Sequence, residues 1–398
     1  MEDIFVTRQA IHDSHHEVVG YELLYHDGSI SNASPCNDAE QSAQLIANTF
    51  IGIGLENLVG SSKAFINLSH DFFSNEHPIP MGSYQMVLEV PGDCIEDEQV
   101  YQELRQLARQ GYTLSLYDYE YNAATAERLD CIDIVKLDIS KYDAKALKEQ
   151  TRYYRNHGKR LHIKGLETDS QQLLCSQLGI DYFQGSLFSP IENIKGQTTA
   201  CNHQLLHEIA KSATQQPDDI TALACIISQD PTLCFKLLRY INCASFEERS
   251  EIHSMEQALT LIGSTTLKQW ALLLLTAQLN EPQENKFTTA ALIRANMCRE
   301  LAQKELTISS DEAFVVGLFS TLEEALETPL EDLLDSISLS PATAFALIFG
   351  EGPLGHLLRQ VKHFEKEEWK KLDTHHIARD DYTNSYQNAL RNIQTSCC

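Results

Sequence analysis

The chain has 398 residues, 43% of them hydrophobic, which is enough for about two domains, each with its own core. Its 31 Lys and Arg stand against 56 Asp and Glu, a formal net charge of −25. Nucleic-acid affinity rests on neutralising phosphates, so this balance excludes DNA or RNA binding as a main role. Residues 1–195 carry 15 basic and 29 acidic side chains and the remainder 16 and 27, so the halves stand at −14 and −11 and neither is a basic module.

Met1-Glu2-Asp3 lacks the basic start of a signal peptide. The longest apolar run, Trp270 to Leu279, is about half a membrane span and reads as a buried helix. Eleven cysteines are scattered without a CxxC pair, and Cys397-Cys398 ends the sequence without a CaaX pattern, which reads as an ordinary tail. Free thiols in a reducing cytoplasm are expected.

Up to about residue 190, β-type runs alternate with helical ones. Val18–Leu24, Ala64–Leu68, Gln85–Val90, Thr113–Tyr117, Ile132–Leu137 and Arg160–Ile163 read as strands; Glu98–Arg109 and Ala144–Asn156 read as amphipathic helices. The alternation predicts an α/β fold with a parallel sheet covered by helices, in the manner of a compact TIM-like (β/α)8 barrel. Glu22, Asn67, Glu89, Asp118, Lys136, Asp138 and Glu167 then lie at or near strand ends, where such barrels do their chemistry. Residues 193–202 lose the pattern and read as a linker, so the domains are expected at 1–192 and 203–398. Beyond it the signals turn helical. Asp230-Pro231 is an N-cap followed by proline, and Leu233, Leu237, Leu238 and Ile241 form one apolar face. Ser254 to Gln257 reads as a capping box, with Gly263 as the C-cap of that helix. Further helices are expected around Thr288–Glu305, Asp311–Leu326 and Pro353–Lys362, followed by a helical tail.

Seven short segments of the first half, in order, resemble the EAL family, whose active members linearise cyclic di-GMP with two divalent metals. Gly20-Tyr-Glu-Leu-Leu24 resembles the family signature, which makes Glu22 the counterpart of a metal ligand; the arginine shortly after it in the family is His26 here. Ile66-Asn-Leu-Ser69 supplies Asn67, and Leu88-Glu-Val-Pro-Gly92 keeps Glu89 but has Gly92 where the family has a second glutamate. Leu116-Tyr-Asp-Tyr119 keeps Asp118 but puts Tyr117 at a metal-binding aspartate. Val135-Lys-Leu-Asp138 keeps Lys136 and Asp138; Ile163-Lys-Gly-Leu-Glu-Thr168 keeps Glu167 but puts Lys164 at a ligand position. Phe183-Gln-Gly185 supplies Gln184.

Two-metal hydrolysis needs hard oxygen ligands, and Tyr117 with Lys164 makes the implied site about three charge units less negative. No two-metal centre, no hydrolysis and no cofactor are therefore expected. A single weak ion on Glu22, Asn67 and Glu89 stays open, as does Lys164 standing in for the metal by pairing with Glu22, Glu89 or Glu167, or contacting a phosphate. Glu22 and Lys136 also fit an inherited buried ion-pair network. His12-Asp13 and His70-Asp71 read as polar turns.

The second half resembles an HDOD domain, a helical relative of HD phosphohydrolases, on Ile226-Ile-Ser-Gln-Asp-Pro-Thr-Leu233, Leu237-Leu-Arg-Tyr-Ile-Asn242 and Ile252-His-Ser-Met-Glu-Gln-Ala258. No His-Asp pair follows residue 71, so His253, His356, His363 and His375-His376 read as surface or capping residues. Together the resemblances imply a bacterial signalling or scaffolding protein that contacts other signalling proteins, in control of motility or biofilm, and that self-associates as EAL barrels do. Phe235, Leu238, Tyr240 and Phe246 are candidate partner anchors, against a simpler core role. A metal-independent cyclic di-GMP receptor and a weakly active phosphodiesterase are the alternatives.

Overall fold

The computed structural model describes residues 2–26, 33–34, 36, 38–74, 79, 85–119, 126–198, 202–243, 251–277, 286–305, 308–372 and 377–396. His26 is placed only as backbone, and Phe246, His375-His376 and Cys397-Cys398 lie outside the described residues. The chain divides into two compact units, the first built on Glu2–Thr198 with the short stretch Leu273–Gln278, and the second on the other helical residues that follow.

The first unit is a barrel. Its strands are β1 (Glu2–Asp13), β2 (Val18–His26), β3 (Ala33–Ser34), β4 (Lys63–Asn67), β5 (Met86–Pro91), β6 (Thr113–Tyr117), β7 (Ile134–Asp138), β8 (Arg160–Lys164), β9 (Tyr182–Phe183) and β10 (Glu192–Thr198). Eight of them close a ring in the order β1-β9-β8-β7-β6-β5-β4-β2, with β2 returning to β1. From β2 through β9 the neighbours are parallel, as apolar runs separated by helices require. β1 departs from the expected parallel sheet: it lies antiparallel to β2, β9 and β10. The helices Glu98–Arg109 and Ala144–Asn156 have the predicted bounds, each capped by an aspartate, Asp97 and Asp143.

The predicted linker needs correction at its start. Residues Glu192–Thr198 are not a connection but β10, which pairs with β1 from Glu2↔Thr198 to Arg8↔Glu192. Glu192, Asn193 and Lys195 are exposed and Ile194 and Gly196 only half-buried, so the backbone ladder more than burial makes the strand. Inside the ring, Ile11, Phe65, Val87 and Ile134 form an apolar floor, with Val19 and Tyr182 packed against it. Polar residues are stacked above that floor because successive inward positions on a strand are two residues apart.

The second unit is helical. Its longer helices are His203–Gln215, Ile220–Ile227, Pro231–Cys243, Met255–Thr276, Lys286–Ala302, Ser310–Phe319, Pro341–Phe349, Gly352–Glu365 and Arg379–Ser396. Asp230 caps its helix as expected, its carboxylate accepting from the N–H groups of Thr232 at 2.8 Å and Leu233 at 3.4 Å. The capping box at Ser254 is shifted: Ser254 accepts from Gln257 N–H, but the Gln257 side chain accepts from His253 N–H, one residue outside. Gly263 sits at φ 73°, ψ 162°, so Met255–Thr276 is two helices meeting at a break. That break matters for the apolar run: by length and composition the whole segment would span a membrane, yet the piece after Gly263 is about 20 Å long at ~1.5 Å per residue, short of a ~30 Å core. Trp270, Ala271, Leu273 and Leu274 within it are buried. Phe235, Leu238 and Tyr240 are core residues and not exposed anchors.

Candidate functional site

The parallel strands aim their C-terminal ends at one mouth, and the side chains there form three separate pairings. The deepest is a trio. Lys136 Nζ donates to Glu22 Oε1 at 2.6 Å and to both oxygens of Glu89 at 2.9 and 3.0 Å. All three residues are buried. Gln184 Nε2 donates to the other oxygen of Glu22 and, at 3.0 Å, to Gln9 Oε1 on β1.

Two carboxylates on one buried ammonium cannot both keep full charge. Burial alone would raise Glu22, but the Lys136 ammonium, with the Lys136 and Gln184 hydrogen bonds, holds it down to about 2. Burial pushes Glu89 up to about 8, with the Glu22 charge adding to the effect and Lys136 opposing it. Burial would lower Lys136; the two carboxylates outweigh it and raise it. At neutral pH the trio therefore holds one ammonium, one carboxylate and one protonated acid, and is close to neutral.

The second pairing sits beside it. Asn67 Oδ1 accepts from the backbone N–H of Cys36 at 3.1 Å and from the phenol of Tyr117 at 3.4 Å. Burial pushes the Tyr117 phenol well above its ordinary range, so it serves as a donor and not as an anion. The third lies higher: Lys164 Nζ is 3.9 Å from Asp138 Oδ2, with both side chains partly exposed. Burial would raise Asp138, but the Ser140 hydroxyl and N–H, with Lys164 behind them, keep it below the usual carboxylate range.

The expected convergence is thus partial. Glu22, Glu89, Lys136 and Gln184 meet, and Asn67 meets Tyr117. Asp118 is turned outward, at φ 50°, and pairs with Lys141 at 2.7 Å. Glu167 is exposed. The expectation that Lys164 pairs with Glu22, Glu89 or Glu167 is corrected: Lys136 takes the first two, because it stands two residues below the end of β7, level with them, whereas Lys164 ends β8. Gly92 is held by its neighbours. A Cβ there would lie 2.6 Å from the Asp118 carbonyl oxygen and 2.7 Å from Tyr119 Cα, so no longer side chain fits without moving backbone. His70-Asp71 opens the helix His70–Ser74, while Asp13 makes a turn by accepting from the N–H groups of His15 and Glu17.

Two interior residues, His162 and Ser115, were not anticipated. His162 is fully buried, beside Lys136 in the β7–β8 register, and neither ring nitrogen has a partner among the described residues. Burial, then the Lys136 charge, drives it well below its ordinary value, so it is neutral. Ser115 Oγ and Gln184 Oε1 are likewise buried without a partner among the described residues. Strand period would have found both: His162 is two residues before Lys164, and Ser115 two before Tyr117.

The donor set does not fit a pair of divalent ions. Glu22, Asn67 and Glu89 offer oxygens, but an ammonium lies on both carboxylates and a phenol on the amide. Among the described residues no cluster of three or more His, Cys, Asp or Glu is arranged to hold a metal.

Comparison with known proteins gives these findings. Residues 201–326 match the HDOD domain model, so the second unit is of HDOD type. The whole chain is similar to a cyclic di-GMP phosphodiesterase, CdgJ, of Vibrio cholerae serotype O1: 28% identity over 375 residues, 93% of this chain and 87% of the relative. It is also similar to an uncharacterized protein, YuxH, of Bacillus subtilis, at 26% identity over 92% of this chain and 91% of the relative. Among solved structures, an EAL domain protein from Listeria monocytogenes aligns with 20% identity and a TM-score of 0.37, covering 48% of this chain and 88% of that one.

Proposed function

We propose that this chain is a cyclic di-GMP signalling protein of EAL–HDOD type whose barrel does not perform two-metal hydrolysis and which acts in the cytoplasm through contacts with other signalling proteins. The observation that carries this reading is the internal neutralisation of the mouth. A divalent pair needs several ionised carboxylates in one place. Here Glu22 and Glu89 share Lys136, Tyr117 donates to Asn67, and Lys164 faces Asp138. Placing an ammonium at a ligand position turns attraction of several kcal/mol at ~4 Å into repulsion of similar size, at an effective dielectric of ~20.

A second reading, a metal-dependent cyclic di-GMP phosphodiesterase, is favoured by one observation: the Vibrio cholerae relative carries that name and matches over 93% of this chain. A third, binding of cyclic di-GMP without metal, draws on Lys164, whose partner at 3.9 Å is loose enough for a phosphate to displace.

Purified full-length protein incubated with cyclic di-GMP and Mg²⁺ or Mn²⁺ separates them. The expected result is no linear product above the metal-only blank. Linear product formed in proportion to enzyme refutes the proposal and establishes the second reading. Calorimetric titration of the nucleotide without metal then decides the third: saturable heat weakened by Lys164→Ala supports it.

A further inference from the structure

The helical unit contains a cavity of about 840 Å³ that no part of the barrel reading uses. It falls in the size range of small-molecule sites, roughly 300–1,000 Å³. One wall is a single stripe of Lys286–Ala302, on which Leu292, Asn296 and Arg299 follow at helical spacing. Arg299 lies over the ring of Phe314, its guanidinium carbon 3.9 Å from the ring centre, and Phe314 lines the same cavity. Stacking fixes the plane of the guanidinium. Its Nε–H is buried without a hydrogen-bond partner among the described residues. A guanidinium held flat in a cavity wall, with part of the side chain still exposed, offers its remaining N–H groups to an acceptor that enters the cavity. Glu208 and Glu256 line the cavity as well, Glu208 as an exposed rim residue.

We propose that this cavity binds an amphoteric organic molecule of nucleoside or short-peptide size. Its anionic oxygens, carboxylate or phosphate, take the two-pronged edge of Arg299; its amino or ammonium group faces Glu208 and Glu256; its body packs on Leu292 and Phe314. One cation against two carboxylates disfavours a ligand that is only an anion, which separates this site from binding of a free phosphate.

The test is calorimetric titration of the full chain with three probes: glycyl-phenylalanine, adenosine monophosphate and inorganic phosphate. Saturable binding of either amine-bearing probe, weakened at least about tenfold by Arg299→Gln, is expected; which probe binds tells whether the anion is carboxylate or phosphate. No saturation with either at millimolar concentration overturns the proposal, as does unchanged affinity in a folded Arg299→Gln protein, or inorganic phosphate binding as tightly. If Arg299→Gln does not fold, Glu208→Gln at the exposed rim replaces it: weaker binding of the amine-bearing probes supports the assignment, and unchanged binding overturns it.

Discussion

Two carboxylates serving one ammonium set up a double-mutant test at the barrel mouth. Lys136 Nζ is 2.6 Å from Glu22 and 2.9 Å from Glu89. At an effective dielectric of ~20 an ionised carboxylate at either distance is worth roughly 6 kcal/mol before desolvation is subtracted. One carboxylate suffices to balance the ammonium, and Glu89, pushed up to about 8 by burial, is protonated at neutral pH. Glu89→Gln therefore replaces a neutral acid by a neutral amide and is expected to cost about 1 kcal/mol or less. In Glu22→Gln, Glu89 ionises and takes over the ammonium; the lost hydrogen bonds cost ~1–2 kcal/mol. The double substitution strands a buried ammonium and is expected to cost ~3–5 kcal/mol, so the two changes are strongly non-additive. The pH dependence follows from the same shifts. Glu89 lies above its ordinary 4.5, so its contribution is fully present below pH 4.5 and is lost as pH rises to about 8; Glu22 lies below 4.5, so its contribution is present above 4.5 and is lost as pH falls toward 2. Glu89→Gln should flatten the upper window and leave the lower one. Both tryptophans, Trp270 and Trp369, lie in the helical unit, so their fluorescence does not follow the barrel. Calorimetric unfolding across pH, with the barrel transition assigned by hydrogen exchange of peptides from β2, β5 and β7, is the suitable assay. Single costs that sum to the double cost, or an upper-pH slope that survives Glu89→Gln, refute the reasoning.

Three further outcomes are expected. Gly92→Ala should destabilise the barrel by ~2 kcal/mol or more and Gly92→Glu by more still, because the new Cβ meets backbone at 2.6 and 2.7 Å; unchanged thermal unfolding would show that the Asp118-Tyr119 backbone yields. Lys164→Glu should change stability by less than ~1 kcal/mol, since its side chain is 29% exposed and its partner 3.9 Å away, and combined with Tyr117→Asp it should raise Mn²⁺ affinity in calorimetry; no gain in metal binding would place the obstacle elsewhere. Asp230→Ala removes the acceptor for two helix-start N–H groups and should cost ~1 kcal/mol, read by tryptophan fluorescence during urea unfolding; no loss would mean that other groups satisfy those donors.

The parts of the fold that were legible are those whose side chains carry the pattern. Met86–Pro91 and Ile134–Asp138 are apolar runs broken by single polar residues because parallel barrel strands bury both faces, and the helices Glu98–Arg109 and Ala144–Asn156 show a one-sided stripe. β10 was missed for the opposite reason. Glu192-Asn-Ile-Lys-Gly-Gln-Thr198 is polar, with Glu192, Asn193 and Lys195 exposed, and its pairing with β1 is a matter of backbone hydrogen bonds, which leave no mark in residue type. At the site, the motifs named Glu22, Glu89 and Lys136 individually. They did not say which lysine meets which acid, since that depends on height within the barrel, and a resemblance by strand carries no height.

The pairing pattern also separates two properties that are usually lost together. Glu22 and Glu89 share Lys136, Asp138 has Lys164, and Asp118 has Lys141. In a chain of net charge −25 this leaves the mouth locally near neutral. On the proposed reading, such balance leaves little surplus anionic oxygen for a divalent cation, but it does not create repulsion toward a phosphate. The three cations differ in how firmly they are held. Lys136 is buried at contact distance and costs ~3–5 kcal/mol to strip of its partners, whereas Lys164 and Lys141 are 29% and 52% exposed and their pairs are worth ~1 kcal/mol or less. An anion arriving from solvent can therefore exchange with Asp138 or Asp118 at little cost, and cannot do so with Glu22 or Glu89. If this barrel retains a nucleotide, it should hold it by Lys164 and Lys141 at the rim, and its affinity should fall with rising salt as exposed charge pairs do.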